Sequence, residues 1–159
     1  MNVRVKRRPK VKFSMKFKLE TIINKPQANV WSAFNNIENL QKWQPTLTTH
    51  ELLSGTPGQP DATTKLTYEE GGREFSLVEK IIHRAEPNEL DGVFESIYAD
   101  NVVRNNFIEQ STDQTLWVVE TEYTFKTLLM KVMGNVLKKN YVRRTQREME
   151  RFKEMTESL

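Results

Sequence analysis

Residues 128–157 read LLMKVMGNVLKKNYVRRTQREMERFKEMTE, and this stretch determines the fold class. Its apolar side chains recur at steps of three and four residues, which on an α-helix places them in one stripe. No proline interrupts it. Such a helix would be roughly 45 Å long and needs a broad apolar partner. The predicted stripe consists of Leu129, Val132, Met133, Val136, Leu137, Tyr141, Thr145, Met149 and Phe152.

The middle of the chain supplies that partner as a series of strands. Polar and apolar side chains alternate over residues 12–23, which predicts a half-buried strand. Pro26 then ends the alternation, and two short helices follow before Pro45. Residues 74–85 carry apolar side chains on both faces, so the pattern leaves open which face is buried. Six further strands are predicted at residues 46–53, 62–69, 74–85, 89–97, 102–110 and 115–125, separated by turn residues such as Gly71-Gly72, Pro87-Asn88 and Asp100-Asn101.

This order of elements predicts one α+β domain at residues 12–159, preceded by a basic extension at residues 1–11. A chain of 159 residues with 37% hydrophobic and 28% charged side chains fits a single soluble globular domain. No apolar run is long enough for a membrane span, and no apolar segment of a secretory signal follows the basic start, so we expect a cytoplasmic protein. The lack of cysteine excludes disulfides and cysteine-bound zinc.

Charge is distributed unevenly along the chain. Residues 1–18 contain eight basic and no acidic side chains, and because the whole chain carries +3, residues 19–159 carry −5. A basic tail on an acidic body argues against specific nucleic-acid binding, which needs a basic face on the folded domain. The tail is either a solvated lead-in to the first strand or a weak electrostatic contact for a membrane surface or nucleic acid.

Most catalytic and metal-binding motifs are missing. The glycine-proline loop at residues 54–60 lacks the Lys-Ser/Thr pair of a phosphate-binding loop and is interpreted as a loop at the rim of an opening. The histidines, His50 and His83, stand alone, so no metal site and no cofactor are expected. His83 lies on the same predicted strand face as Glu79, where it is either a base in a cavity or half of a surface pair.

The last strand carries the predicted ligand-binding face. Trp117, Val119, Thr121, Tyr123 and Phe125 alternate with polar residues and should face the long helix. The hydroxyl of Tyr123 would need a partner there, either another side chain or an oxygen of a ligand. Arg104 poses a similar question, with an outward orientation preferred over an inward one that would need an acidic partner.

The first half of the long helix is predicted to form the opposite wall. Met130, Met133, Leu137 and Tyr141 should face the broadest part of the sheet, and methionines suit contents of variable shape. Gly134 costs about 1 kcal/mol relative to alanine inside a helix, which suggests a bend or a close approach at this position.

Taken together, these features resemble the SRPBCC superfamily, also called START-like or Bet v 1-like and often labelled polyketide cyclase/dehydratase or lipid transport. The resemblance covers about residues 13–157 and implies a helix-grip fold, in which a seven-stranded antiparallel sheet holds the C-terminal helix over a hydrophobic cavity. The motifs that carry it are Ile23-Asn24-Lys25-Pro26, Val30-Trp31, Trp43-Gln44-Pro45, Gly55-Thr56-Pro57-Gly58, Glu122-Tyr123-Thr124-Phe125 and the terminal helix.

The sequence therefore predicts a protein that binds a hydrophobic small molecule or lipid between the sheet and the long helix. One alternative is an enzyme of the cyclase or dehydratase type that uses acids and bases such as Tyr123, Glu79 or His83 in the same cavity. Another is a protein-interaction module. The pattern does not identify the ligand or the oligomeric state.

Overall fold

A computed structural model describes residues 13–159 of the chain. The predicted extension at residues 1–11 and Lys12, the predicted first residue of the first strand, lie outside the described residues. The elements follow the predicted order. They are β1 (Phe13–Ile23), α1 (Gln27–Asn35), α2 (Ile37–Trp43), β2 (Leu47–Ser54), β3 (Thr63–Glu70), β4 (Arg73–Ala85), β5 (Glu89–Glu95), β6 (Ala99–Ser111), β7 (Gln114–Phe125) and α3 (Leu128–Ser158).

Within residues 13–159, seven antiparallel strands form one sheet in the order β1-β7-β6-β5-β4-β3-β2. Consecutive strands from β2 to β7 are neighbours, while β1 pairs with β7, so that Phe17 lies opposite Thr121. Side chains alternate between the two faces of a strand. One face, called here the inner face, is covered by α1, α2 and α3, and this arrangement confirms the predicted α+β helix-grip fold.

An aromatic cluster joins the three helices to the inner face. Phe34 of α1 contacts Trp43, Phe107, Trp117 and Phe152 with ring centroids 5.0–5.7 Å apart. Most of these pairs meet edge to face, the arrangement that aromatic quadrupoles favour. The cluster fixes the second half of α3, where Phe152 and Met149 are buried.

The first half of α3 approaches the sheet more closely and in a different rotation from the predicted one. A Cβ atom on Gly134 would lie 2.1 Å from the ring of Phe125, so the glycine permits direct contact between helix backbone and ring. This contact turns Gly134 toward the sheet. The predicted stripe is therefore wrong in its first half, where Leu129, Val132, Met133 and Val136 are exposed.

The open question about residues 74–85 is resolved by the register of β4. Phe75, Leu77, Glu79 and Ile81 share the inner face, because Leu77 lies opposite Leu66 and Ile81 lies opposite Gly92. A register shift follows between Ile81 and His83. Among residues 13–159, no helix combines the length and apolar character needed to cross a bilayer.

Candidate functional site

Most of the predicted ligand-binding residues of β7 are part of the packed interior. Trp117, Val119, Thr121 and Phe125 are buried, and Trp117 donates its indole N–H to Asn105 Oδ1 at 3.1 Å. Phe125 fills the space below Gly134. These residues thus support the inner face, while Tyr123 is left partly exposed at its margin.

The predicted residues of α3 divide between two sides of the helix. Met130, Leu137 and Tyr141 are partly buried, and the ring centroid of Tyr141 lies 5.0 Å from that of Tyr123. Met133 is about half-exposed, which corrects its prediction as a wall residue. The reason is the contact of Gly134 with the sheet, since Met133 is about 100° away from Gly134 around the helix.

A partly exposed area remains on the inner face, because α3 packs mainly against β1 and leaves β3–β6 less covered. We call this area the inner groove. Tyr68 and Phe75 stack at 5.4 Å between ring centroids at one side of it. Its side chains are Phe75, Leu77, Glu79, Phe94, Asn101 and Tyr123.

Polar groups cross the inner groove in one row. Glu79 lies opposite Phe94, Phe94 opposite Asn101, and Asn101 opposite Tyr123. Because neighbouring strands are about 4.8 Å apart, Glu79 and Tyr123 are roughly 14 Å apart along the sheet, with Asn101 between them. The row thus places three polar side chains in a surface that is otherwise apolar.

Glu79 is the most perturbed carboxyl of this row. Burial raises its pKa from the ordinary 4.5 to about 7. Among the described residues it has no hydrogen-bond or ion-pair partner. Gly92 lies beside it: a Cβ atom there would be in ordinary contact with Glu79 Oε1 at 3.6 Å and in tight contact with the ring of Phe94 at 3.3 Å. The carboxyl therefore changes charge near neutral pH and has free capacity to donate or accept a hydrogen bond.

The other two polar groups of the row also have no hydrogen-bond partner in the described part of the chain. Asn101 Oδ1 is buried without a hydrogen bond to any described residue. Burial raises the pKa of the Tyr123 hydroxyl, with a smaller contribution from Tyr141, so Tyr123 is a neutral donor at physiological pH. An unpaired buried polar atom costs roughly 1–3 kcal/mol, and a bound molecule that supplied the missing hydrogen bond would remove that cost.

Arg144 closes one side of the inner groove. Its guanidinium lies 5.4 Å from the ring centroid of Tyr68 and 5.7 Å from that of Phe75. It also contacts Glu148 at 3.2 Å and Glu70 at 3.5 Å, so that it connects α3 with the end of β3. Burial raises the pKa of the Glu148 carboxyl, while the nearby Arg144 opposes that shift.

A polar cleft of about 350 Å³ lies outside this connection. Three of its arginines, Arg143, Arg147 and Arg151, make no ion pair with a described residue. The cleft is thus a charged opening next to the apolar inner groove. Its lining consists of Pro45, Thr46, Glu70, Asn140, Arg143, Arg144, Arg147, Glu148 and Arg151.

The structure separates His83 from Glu79. The register shift after Ile81 turns His83 outward, where its Nε2 lies 2.9 Å from Glu89 Oε2 and half of its side chain is exposed. His83 is therefore half of a surface pair and not a base in the cavity, although its partner is Glu89 and not Glu79. Arg104 is exposed, which agrees with the outward orientation that the sequence favoured. No three His, Cys, Asp or Glu side chains in the described part of the chain are grouped so as to hold a metal ion.

The glycine-proline loop is attached to α1. Arg84 donates hydrogen bonds to the carbonyl of Gly58 at 3.0 Å and to Asn35 Oδ1 at 2.7 Å, and it stacks on Trp31. Gly55 has a φ of 81° and no space for a side chain, because a Cβ atom would lie 2.8 Å from Ala62 Cα. The loop is thus held on the α1 side of the sheet.

Comparison with known proteins gives the same fold. The family model for polyketide cyclase / dehydrase and lipid transport matches residues 14–157. No curated protein matches the sequence.

Solved structures of low sequence identity are also similar. Ara h 8.0201 has 17% identity and a TM-score of 0.74 over 92% of this chain and 99% of its own. The Zhui aromatase/cyclase of a Streptomyces species has 10% identity and a TM-score of 0.75, with 91% and 94% covered. A START superfamily protein from Mycobacterium smegmatis has 15% identity and a TM-score of 0.68, with 85% and 94% covered. At these identities the similarity shows the fold and leaves function to the site.

Proposed function

Because the chain belongs to the polyketide cyclase / dehydrase and lipid transport family, we propose that it binds a hydrophobic small molecule or lipid in the inner groove. The observation that carries this proposal is the row of Glu79, Asn101 and Tyr123, three polar groups within an apolar surface that have no hydrogen-bond partner among residues 13–159. Binding sites for small molecules commonly combine apolar walls with a few converging polar groups.

Apolar contact would supply most of the affinity. Burial of about 200 Å² of apolar ligand surface contributes roughly 5 kcal/mol before the costs of association. Phe75, Leu77 and Phe94 offer such a surface. The polar row would then orient the ligand, because each group left unpaired by a wrong orientation remains costly.

The row also restricts the ligand's chemistry. Asn101 Oδ1 accepts a hydrogen bond, so the ligand should carry a donor such as a hydroxyl near β6. A second polar group near Glu79 would be roughly 10 Å away, two strand spacings along the sheet. A largely apolar molecule with hydroxyl or carbonyl groups at both places fits this spacing.

A neutral fluorescent probe such as Nile red tests this proposal. Leu77→Glu places a carboxylate in the inner groove beside Glu79, and Ile108→Glu places the same group on an exposed part of β6. We expect the first variant to weaken probe binding at least tenfold and the second to leave it unchanged, because only the first charge is desolvated by the probe. Equal binding by both folded variants would contradict the proposal. Folding is checked by circular dichroism.

A cyclase or dehydratase activity is the second candidate, favoured by the Glu79 carboxyl, whose pKa of about 7 suits a general base. Tyr123 is roughly 14 Å away, so the two groups would act on one substrate only at well-separated atoms. A new product from an added linear poly-β-carbonyl compound, lost in Glu79→Gln while binding of the compound persists, would favour the enzyme over the binding protein. A protein-interaction module remains the third candidate.

A further inference from the structure

An exposed apolar surface lies outside the proposed ligand site, on the first three turns of α3 and the neighbouring β5–β6 turn. Leu129 and Val136 are each 72% exposed, and Ile97 is 77% exposed. Scattered exposed apolar residues are normal, but a cluster of them marks an interaction surface. We call this cluster the apolar end. It consists of Ile97, Tyr98, Leu128, Leu129, Val132, Met133 and Val136.

The two parts of the apolar end are held together by Lys126. Its backbone N–H donates to the carbonyl of Tyr98 at 3.2 Å, its ammonium donates to the carbonyl of Ser96, and it forms an ion pair with Asp100 at 3.1 Å. The β5–β6 turn is therefore fixed beside the start of α3. Ile97 and the exposed side of the helix thus belong to one continuous end of the molecule.

The apolar side of α3 points away from the sheet. With about 100° per residue, Leu129, Val132 and Val136 fall within an arc of roughly 60°, and Gly134 lies nearly opposite to them. Since Gly134 contacts Phe125, this arc cannot reach the sheet without a rotation of the helix. The apolar arc therefore remains free to contact a partner.

Basic residues accompany the apolar arc along α3. From Lys126 to Arg147 the chain has seven basic and no acidic side chains. Lys126 and Arg144 are paired with carboxylates, whereas Lys138, Lys139 and Arg143 form no ion pair with a described residue. With about 100° per residue, Lys139 and Arg143 lie on the side of the apolar arc, whereas Lys138 lies nearly opposite to it. An apolar arc with cations on the same side of the helix is the pattern of helices that lie in the interface of an anionic bilayer.

The basic start of the chain joins the fold at the same end. Residues 1–12 contain six basic and no acidic side chains. They lead directly into β1, whose first residue Phe13 is opposite Phe125, three residues before α3 begins at Leu128.

From these observations we propose that the apolar end docks onto the surface of an anionic lipid bilayer. The apolar side chains enter the interfacial layer, and the lysines and arginines lie at the headgroups. Charge selects this partner over a second copy of the chain, because two such ends would bring like charges together. The docking surface is separate from the inner groove and does not depend on a ligand there.

Flotation of the full chain with vesicles tests this inference. The vesicles contain phosphatidylcholine alone or with about 30 mol% phosphatidylserine, an anionic lipid. We expect binding to the anionic vesicles, at least tenfold weaker binding to the neutral ones, and release at high salt, because salt screens headgroup attraction. Absence of binding to anionic vesicles at low salt would overturn the proposal.

Matched substitutions distinguish docking from a general surface effect. Leu129→Ser with Val136→Ser should reduce binding to the anionic vesicles at least tenfold, while Leu52→Ser with Leu53→Ser, at exposed positions on β2, should leave it unchanged. Lys139→Gln and Arg143→Gln should each reduce it roughly fivefold. Equal binding by the two serine pairs would overturn the proposal. So would a dimer that disappears only in the α3 pair, since it would assign the apolar end to a second copy.

Discussion

Burial of one carboxyl group, that of Glu79, determines the acid–base properties of the proposed site. Its pKa rises to about 7 because the inner face removes water from the carboxyl, and no cation or hydrogen-bond donor of residues 13–159 compensates. A group left in this condition lowers the stability of the protein when it is charged. Such an arrangement is typical of functional sites, where uncompensated polar groups persist for binding or catalysis.

The titration of Glu79 predicts a stability difference that depends on pH. Below about pH 4.5 the carboxyl is protonated in both states, and as pH rises toward 7 the unfolded state ionises first, so the wild type loses stability. Glu79→Gln should therefore raise the free energy of unfolding near pH 8 by at most about 3 kcal/mol, and this gain should disappear near pH 4.5. Urea unfolding across this range measures it.

The control for this experiment is Glu74→Gln, at an exposed position on the same strand. It should change the free energy of unfolding little, because its side chain is exposed to solvent. A Glu79→Gln gain that was the same at both ends of the pH range would show that the carboxyl is not desolvated in the folded protein.

Asn101 and Glu79 also show where sequence reasoning stopped. The pair Asp100-Asn101 reads as a turn, so Asn101 was not expected in a strand, although β6 already begins at Ala99. Glu79 lies in a strand that is apolar on both faces, and only pairing with β3 and β5 decides which face is buried. Register depends on contacts between distant residues, which local pattern does not contain.

Among the elements, α3 was predicted in position and length but not in rotation. The predicted helix, residues 128–157, agrees with the observed Leu128–Ser158. Its first half has apolar side chains on two sides, and periodicity favoured the richer side, which includes Leu129 and Val136. Gly134 sets the rotation of α3, because its missing side chain permits the helix to approach the sheet closely.

Gly134→Ala tests this role of the glycine. Alanine favours a helix by about 1 kcal/mol, but its methyl group would meet the ring of Phe125 at 2.1 Å. We expect a net loss of more than about 1 kcal/mol in the free energy of unfolding, because overpacking outweighs the gain. Asn135→Ala, at the next and exposed position, should instead be neutral or slightly stabilising.

A second substitution makes the interpretation of Gly134→Ala specific. Phe125→Leu shortens the side chain below the glycine, so the cost of Gly134→Ala should fall when the two changes are combined. If the costs simply added, or if Gly134→Ala stabilised the protein, the close approach would not be what fixes the rotation of α3.

Arg144 connects α3 with β3, and we expect substitutions of Arg144 and Glu148 to have non-additive effects on the free energy of unfolding. Arg144→Gln removes the cation next to Glu148 and the contacts with Tyr68 and Phe75, and should cost roughly 1–2 kcal/mol, with Glu148 left partly buried and unpaired. Glu148→Gln in the same chain should recover about half of that loss. Unfolding of the two single variants and the double variant measures the coupling, and strictly additive costs would refute it.

At the level of the domain, the sequence predicted the fold better than it predicted the candidate site. The number and order of strands, the two short helices and the helix-grip arrangement follow from periodicity, prolines and turn residues, and the structure confirms them. The side chains that line the inner groove could not be predicted in this way, because they depend on how far α3 lies from each strand. Packing of α3 along β1 leaves β3–β6 less covered, and this displaces the candidate site from β7 toward β4 and β5.

The packing of α3 leaves two separate apolar surfaces, for which we propose different partners. The inner groove has unpaired polar groups and little positive charge, which suits a small neutral ligand. The apolar end has none of these polar groups and lies among cations, which suits a lipid surface. A hydrophobic probe that bound only at the apolar end would mimic ligand binding, so affinity alone does not locate the site.

Photo-crosslinking locates it directly. A fatty alcohol that carries a diazirine group is neutral, fits the expected ligand chemistry and labels the residues next to it, which peptide mass spectrometry then identifies. We predict labels in β4, β5 and β6 at the inner groove, reduced by Leu77→Glu and unchanged by Leu129→Ser with Val136→Ser. Labels confined to residues 128–136, or unaffected by Leu77→Glu, would contradict binding of the ligand in the inner groove.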